Sequence, residues 1–504
     1  MLAAALLVRL GMLAGYRVAV YSDTHSYRRL AGVLQTWLQG GSAGYDGTRV
    51  PGYALFLALT GTDQTAWLVQ MGLGVLITLL LFYTGWKLSG QAWLGGLAAL
   101  LHTLNLGQLF FESSLLTETL STFWIMLALA GLVWGGELSR NAACRPAWLI
   151  GLAGGMGLAA AAAVLTRPLF VYLPFLLALG VFFTWQPAPV RAMIQADRWR
   201  GWWQALRQVF WPLAVLTLAV ALPVLGWVRF IYNTYGFMSL TVMTGYHLVQ
   251  HTGVFFEYVP DEEALLRDTY LGYREAHIAE TGTQTNTIWG AIPELSKVSG
   301  LTFYDLSRKL ARISADLIRA HPDLYARNAL KGWGMFWLAP VYWSPELLRW
   351  GAFQSLLEGL IGLQRILLVL ANGFFVLTSL AALALKPLRQ AWRIPAGLWV
   401  LAGAVWLGSI VQTLLDHGDN PRFLVPLQSS IVLWVLYFIF FSLPRTAALR
   451  LRKCAPSQHP PSSRSDNRGG QSLPQITESG GGERQPFSQI SEYEGGRSGQ
   501  HGGR

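Results

Sequence analysis

The sequence predicts an all-α membrane protein that crosses the bilayer about ten times, on three observations. Charge is scarce, apolar runs recur at bilayer length, and the basic residues between those runs gather on one side. Of the 504 residues, 53% are hydrophobic and only 13% are charged, about half the charged share of a typical soluble domain. Apolar runs such as 68–83, 149–165 and 431–443 carry scattered Gly and Pro, which membrane helices tolerate. A spanning helix needs roughly 20 apolar residues. That length places spans near residues 2–20, 67–86, 92–111, 115–134, 148–166, 169–185, 210–230, 356–385, 394–415 and 423–443. The first run has no small-residue cleavage site and reads as a retained span rather than a signal peptide.

Orientation follows from the short loops. Lys87, Arg140, Arg145, Arg191, Arg198, Arg200, Arg207, Lys386, Arg389, Arg393, Arg445, Arg450, Arg452 and Lys453 all fall on one side of the ten spans. Basic loops stay cytoplasmic, so both termini are expected there. The net charge of +11 is thereby explained by topology, and nucleic acid is not an expected partner because the cations form no single patch. Cys144 and Cys454 both lie in expected cytoplasmic segments and support neither a disulfide framework nor a thiolate metal site.

Residues 1–443 read as the membrane domain, with a large extracytoplasmic segment at 232–355. Within it, 304–330 alternates apolar and charged residues at helical spacing and leads into the aromatic-rich run 333–343, so amphipathic helices along the membrane surface are expected. Residues 444–504 are rich in Gly, Ser, Gln and Arg and nearly devoid of large apolar side chains. A disordered cytoplasmic tail is expected there.

Polar groups at membrane depth are costly, so those collected at one face carry the chemical information. The extracytoplasmic face receives Asp23, His25 and Arg49 from the first loop, Glu112 and Glu118 from the second, Arg167 from the third, and His417, Asp419 and Arg422 from the last. Each has a plainer reading. Asp23 suits the N-cap of a helix running on from Ser26, and Arg167 and Arg422 suit snorkelling to headgroups. Glu118, one turn inside an expected span, needs a partner or a water-filled cavity. His25, His251 and His417 lack the ligand spacing of a metal site.

Several stretches together resemble a known family: "YSDTHSYRRLA" after the first span, "TRVPGYALFLAL" next, "ESSLLTETLSTF" at the fourth span, "LTRPLFVYLP" between the fifth and sixth, "NTYGFMSLTVMTGYHL" and "RAHPDLYARNALKGWGMFW" in the large segment, and "GDNPRFLVPL" before the last span. In order and placement they are similar to polytopic glycosyltransferases of the C superfamily (GT-C fold), in particular the bacterial relatives of dolichyl-phosphate-mannose protein mannosyltransferases and of aminoarabinose transferases. The resemblance covers residues 1–443. It implies inverting transfer of a sugar from a polyprenyl-phosphate donor to a lipid, glycan or protein acceptor at the extracytoplasmic face. It further implies Asp23 as general base, Glu118 as the acid that orients acceptor or donor, and Arg49 and Arg422 as ligands of the carrier phosphate, with His25, Tyr27 and Arg167 completing the substrate-binding set. In the aminoarabinose-transferase relatives an acid associated with a divalent cation stands just before the basic residue of the second motif. Here that position is Thr48, with Asp46 displaced by two, so the resemblance gives weak ground for a metal. The rival expectation is a transporter or flippase of lipid-linked sugars, against which stand the lack of an internal repeat and the acids gathered near one surface.

Overall fold

The structure is a computed structural model that describes residues 1–446 apart from 142–144, 187–189, 191–192, 194–196, 339–340 and 416–420. The expected tail beyond residue 446, together with Cys144, Cys454, His417 and Asp419, lies outside the described residues. Every regular element of more than a single bridge among the described residues is helical.

Among the described residues, seven helices are long and apolar enough to cross a membrane. They are α4 (Asp63–Ser89), α7 (Glu118–Leu138), α8 (Pro146–Thr166), most of α10 (Arg198–Tyr235), α16 (Gln354–Ala384) with the turn before it, α18 (Ala396–Leu415), and the segment Pro421–Thr446 that contains α19 (Gln428–Tyr437). The other three expected spans take different forms. Residues 92–111 become a pair, α5 (Ala92–Thr103) and α6 (Leu106–Glu112), bent by 61° where Asn105 caps the second helix through its side chain. The first run yields only α1 (Leu2–Gly15), 14 residues long, and the sixth is a 3-10 turn (Pro168–Tyr172) followed by α9 (Leu173–Thr184). On α10 and α16, side chains such as Leu222 and Leu370 are 71% and 64% exposed. Apolar surface of that extent on long helices is at home in lipid, and the protein is a multi-pass membrane protein.

Two short helices, α2 (Ser22–Leu38) and α3 (Pro51–Thr60), join the large segment at one end of the bundle. That segment folds into α11 (Thr244–Thr252), α12 (Ala264–Thr281), α13 (Thr287–Ser299), α14 (Phe303–Ala320) and α15 (Pro322–Phe336). The amphipathic run 304–330 is therefore two helices, broken where Pro322 forbids continuation after His321. The apolar face of α14 is not laid on lipid. Leu306, Leu310, Ile313 and Leu317 are buried in a core shared with Leu30, Tyr53, Tyr246 and Phe256. A second core, including Ile77, Leu129, Phe170, Leu177 and Trp434, holds the spans together. The short α17 (Lys386–Trp392) closes the turn between α16 and α18 at the far end.

The junction of the two cores depends on one close approach. A Cβ added to Gly52 would stand 2.5 Å from the Leu165 carbonyl oxygen, so only glycine lets α3 lie this tightly against the end of α8. Gly52→Ala is expected to cost about 1–3 kcal/mol through overpacking. The check is a lowered thermal unfolding midpoint in detergent, and an unchanged midpoint would show that this contact relaxes freely.

Candidate functional site

Three arginines at the junction each lie within two residues of a proline. Val50 is extended (φ −69°, ψ 153°) ahead of Pro51 at the first turn of α3, and Arg49 stands just before it. Arg167 is itself extended (φ −145°, ψ 117°) because Pro168 follows. Arg422 follows Pro421 in the 3-10 turn that leads into α19. In each case a proline sets a helix boundary at the same end of the bundle, and the neighbouring guanidinium is left at the boundary.

Asp23 meets two of them. Helix α2 begins at Ser22, with Tyr21 as its N-cap residue and the Thr24 side chain accepting the Tyr21 amide hydrogen at 3.1 Å. Asp23 is therefore not the N-cap, and its carboxylate is directed elsewhere. Arg49 Nη2 donates to Oδ1 at 2.7 Å and Arg422 Nη2 donates to Oδ2 at 2.8 Å. Burial alone would raise the Asp23 carboxyl, but Arg49, Arg422 and Arg167 together hold it below the usual carboxylate range. Tyr27, one turn further along α2, is buried and lies 5.5 Å beneath the Arg49 guanidinium.

Glu118 occupies the deeper side. It is the first residue of α7 rather than a position one turn inside a span, and it is 1% exposed. Its Oε1 lies 3.3 Å from Arg167 Nη2 and 3.6 Å from Arg422 Nε. Neither carboxylate oxygen has a hydrogen bond among the described residues, and Arg167 Nη1 and Arg422 Nε are likewise unmatched. Phe423 lies under both cations, 4.6 Å from Arg167 and 5.7 Å from Arg422. Three guanidiniums thus face two carboxylates, leaving one positive charge in surplus.

Backbone stitching brings these distant positions together. Ala19 and the 113–115 turn exchange hydrogen bonds of 2.9 and 3.0 Å, and Thr24 Oγ1 donates to the Leu115 carbonyl at 3.0 Å. The same turn is held from beneath by Gln70, whose amide reaches the Glu112 and Ser114 carbonyls at 3.0 and 2.8 Å while accepting from Tyr53. Asp23 and Glu118 are consequently tied to one turn.

Other expected members lie elsewhere. Glu112 is not a surface acid. It forms a two-point ion pair with Arg9 of α1 at 2.6 and 2.8 Å, both side chains almost fully buried. His25 is exposed and has no hydrogen bond or ion pair among the described residues. His251 is buried within the large segment. Asp46 is engaged by Arg29 and accepts from the Thr48 amide and hydroxyl at 2.9 and 2.7 Å. Among the described residues no group of three or more His, Cys, Asp or Glu side chains is arranged to hold a metal ion.

Sequence reading missed Tyr342, which lies against the Arg422 backbone and stacks on Phe110 at 6.3 Å. Its only sequence signal is membership of the aromatic run 333–343. The next residue, Trp343, is 4.7 Å from the Tyr16 ring and lines an apolar groove of ≈ 270 Å³ between α1 and α16, with Gly11, Trp350, Leu357 and Leu360 among its walls. Tyr21 and Tyr16 both bond to Ser344, at 2.7 and 3.1 Å, so one strap of chain links the groove to the start of α2.

No protein-family model matches the sequence, and no curated protein matches it. Among solved structures the chain aligns with that of ArnT from Cupriavidus metallidurans bound to undecaprenyl phosphate, at 15% identity and a TM-score of 0.34, over 88% of this chain and 77% of that one.

Proposed function

We propose that the protein is a membrane glycosyltransferase that moves a sugar from a polyprenyl-phosphate donor to an acceptor hydroxyl, with inversion at the anomeric carbon. The observation that carries this reading is the junction cluster: one carboxylate clamped by two guanidiniums at a mouth about a quarter exposed, backed by a buried acid and a third guanidinium. Its surplus positive charge matches the single negative charge of a phosphodiester. The adjoining apolar groove offers a run of chain-lining surface for an isoprenoid, and the sequence motifs resemble enzymes of this chemistry.

In the proposed reaction Asp23 takes the proton of the acceptor hydroxyl as its oxygen bonds to the sugar C1. The bond from C1 to the carrier phosphate oxygen breaks, and its electron pair leaves on that oxygen. Arg49 and Arg422 stabilise the phosphate as its charge grows, an interaction stronger in the transition state than in the ground state. Arginine suits the role because its planar fork matches phosphate oxygens. The unmatched oxygens of Glu118 and the free nitrogen of Arg167 would orient sugar or acceptor hydroxyls, with Tyr27 supporting Arg49. By the positive-inside rule the cationic loops around Lys87, Arg140, Arg145, Lys386, Arg389 and Arg393 would face the cytoplasm, which supports an extracytoplasmic site.

Membranes or purified protein given polyprenyl-phosphate sugars should consume donor and form a glycosidic bond. Movement of donor across liposomes without bond formation would favour the transporter instead. Arg422→Ala should weaken donor binding about tenfold to a hundredfold, whereas Arg389→Ala on α17 should leave it unchanged. Equal effects would reduce Arg422 to a membrane anchor.

A further inference from the structure

We infer that Asp23 holds the place of the carrier phosphate in the resting site, and that Arg49 and Arg422 exchange its carboxylate for the phosphate when donor lipid binds, thereby freeing the base. This rests on the glycosyltransferase reading above and adds a step that the roles of the separate residues do not contain.

The geometry argues for exchange rather than addition. Each guanidinium meets a different oxygen of the same carboxylate, at 2.7 and 2.8 Å, so Asp23 bridges the two cations as an anion with paired acceptor oxygens does. The phosphodiester of a donor lipid presents the same single charge and a comparable pair of acceptor oxygens to the same two donors. The three side chains are between 23% and 27% exposed, so water can mediate the swap and the long arginines can follow it. The inner pair differs. Arg167 and Glu118 are no more than 9% exposed, and their burial keeps that end of the cluster in place while the outer end changes partners.

The exchange also times the chemistry. A carboxylate held by two guanidiniums is a poor base, because each cation favours its charged form. Asp23 is faced by Arg49, Arg422 and Arg167, by the Tyr27 phenol on its own helix, and by Glu118 through Arg422. Once the outer arginines turn to phosphate, the basicity of Asp23 rises. It rises further as the leaving phosphate passes from one negative charge toward two and draws the guanidiniums after it. The acceptor proton ends on Asp23, which is then neutral and no longer competes for them. Loss of that proton to water regenerates the carboxylate, which recovers Arg49 and Arg422 as the spent carrier departs and so resets the site.

The test uses the full-length protein in detergent with farnesyl phosphate as the probe. Asp23→Asn removes the competing anion and is expected to bind the probe about tenfold more tightly than the unmodified protein, while Asp63→Asn, which disturbs only the Arg28 pair, binds it unchanged. Binding by Asp23→Asn that is equal or weaker, with normal binding by the unmodified protein, overturns the exchange and leaves the glycosyltransferase reading intact. Absence of farnesyl phosphate binding together with absence of turnover of any polyprenyl-phosphate sugar in the unmodified protein removes both. Should Asp23→Asn fail to fold, the pH dependence of the unmodified enzyme decides. The acid limb of kcat/KM, which reports the free enzyme, should lie below the usual carboxylate range, and that of kcat, which reports the complex, at higher pH. Coincident limbs overturn the proposal.

Discussion

Asp23→Asn is expected to lower sugar transfer by about 10²- to 10⁴-fold, the usual contribution of a positioned general base. The amide keeps the size of the side chain and one acceptor oxygen for an arginine, so the loss falls on proton transfer more than on architecture. Asp23→Ala should lose at least as much. The readout is the initial rate of donor consumption, taken beside the unfolding midpoint of each variant so that inactivity and misfolding are separated. Full turnover in both variants would remove Asp23 as the base. Because Arg49 and Arg422 sit on either side of this residue, the same variants also show whether two unopposed guanidiniums are tolerated in the empty mouth.

The second large effect lies away from the chemistry. Glu112→Ala is expected to cost about 3–5 kcal/mol, the penalty of leaving one member of a buried ion pair without its partner. Arg9 and Glu112 are 3% and 1% exposed, and among the described residues Arg9 bonds beyond Glu112 only to the Ala5 carbonyl, at 3.2 Å. Gly74 makes the room, since a Cβ there would stand 2.3 Å from the Glu112 carboxylate. The double replacement Arg9→Met with Glu112→Leu should recover most of the loss, because apolar groups of similar volume replace a buried pair at little cost. Thermal unfolding in detergent reads both. A single variant as stable as the unmodified protein would mean that water reaches the pair.

These two residues mark where sequence reading succeeds and where it stops. Glu112 and Glu118 are six positions apart in one stretch, and both read as acids presented to the same aqueous layer. The structure separates them. The α5–α6 bend and the 113–115 turn send Glu112 back to α1 and Glu118 forward to Arg167 and Arg422. The distinction is invisible in sequence because it depends on Arg9, which reads as one cation in an otherwise apolar first run. Likewise α14 has the pattern of a helix for a membrane surface, yet its apolar face is covered by protein. Amphipathic spacing reports that a face will be buried and says nothing about what buries it.

Composition and hydropathy by themselves determined the class of protein and the seven long spans among those expected, since these follow from the local cost of placing charge and backbone in lipid. Only the tertiary structure decided which charges pair: Asp23 with Arg49 and Arg422, Glu118 with Arg167, Glu112 with Arg9. Pairing is set by interhelical contacts between residues up to 399 positions apart, through close approaches such as that of Gly52 in α3 to the end of α8, and no local pattern encodes a contact of that range.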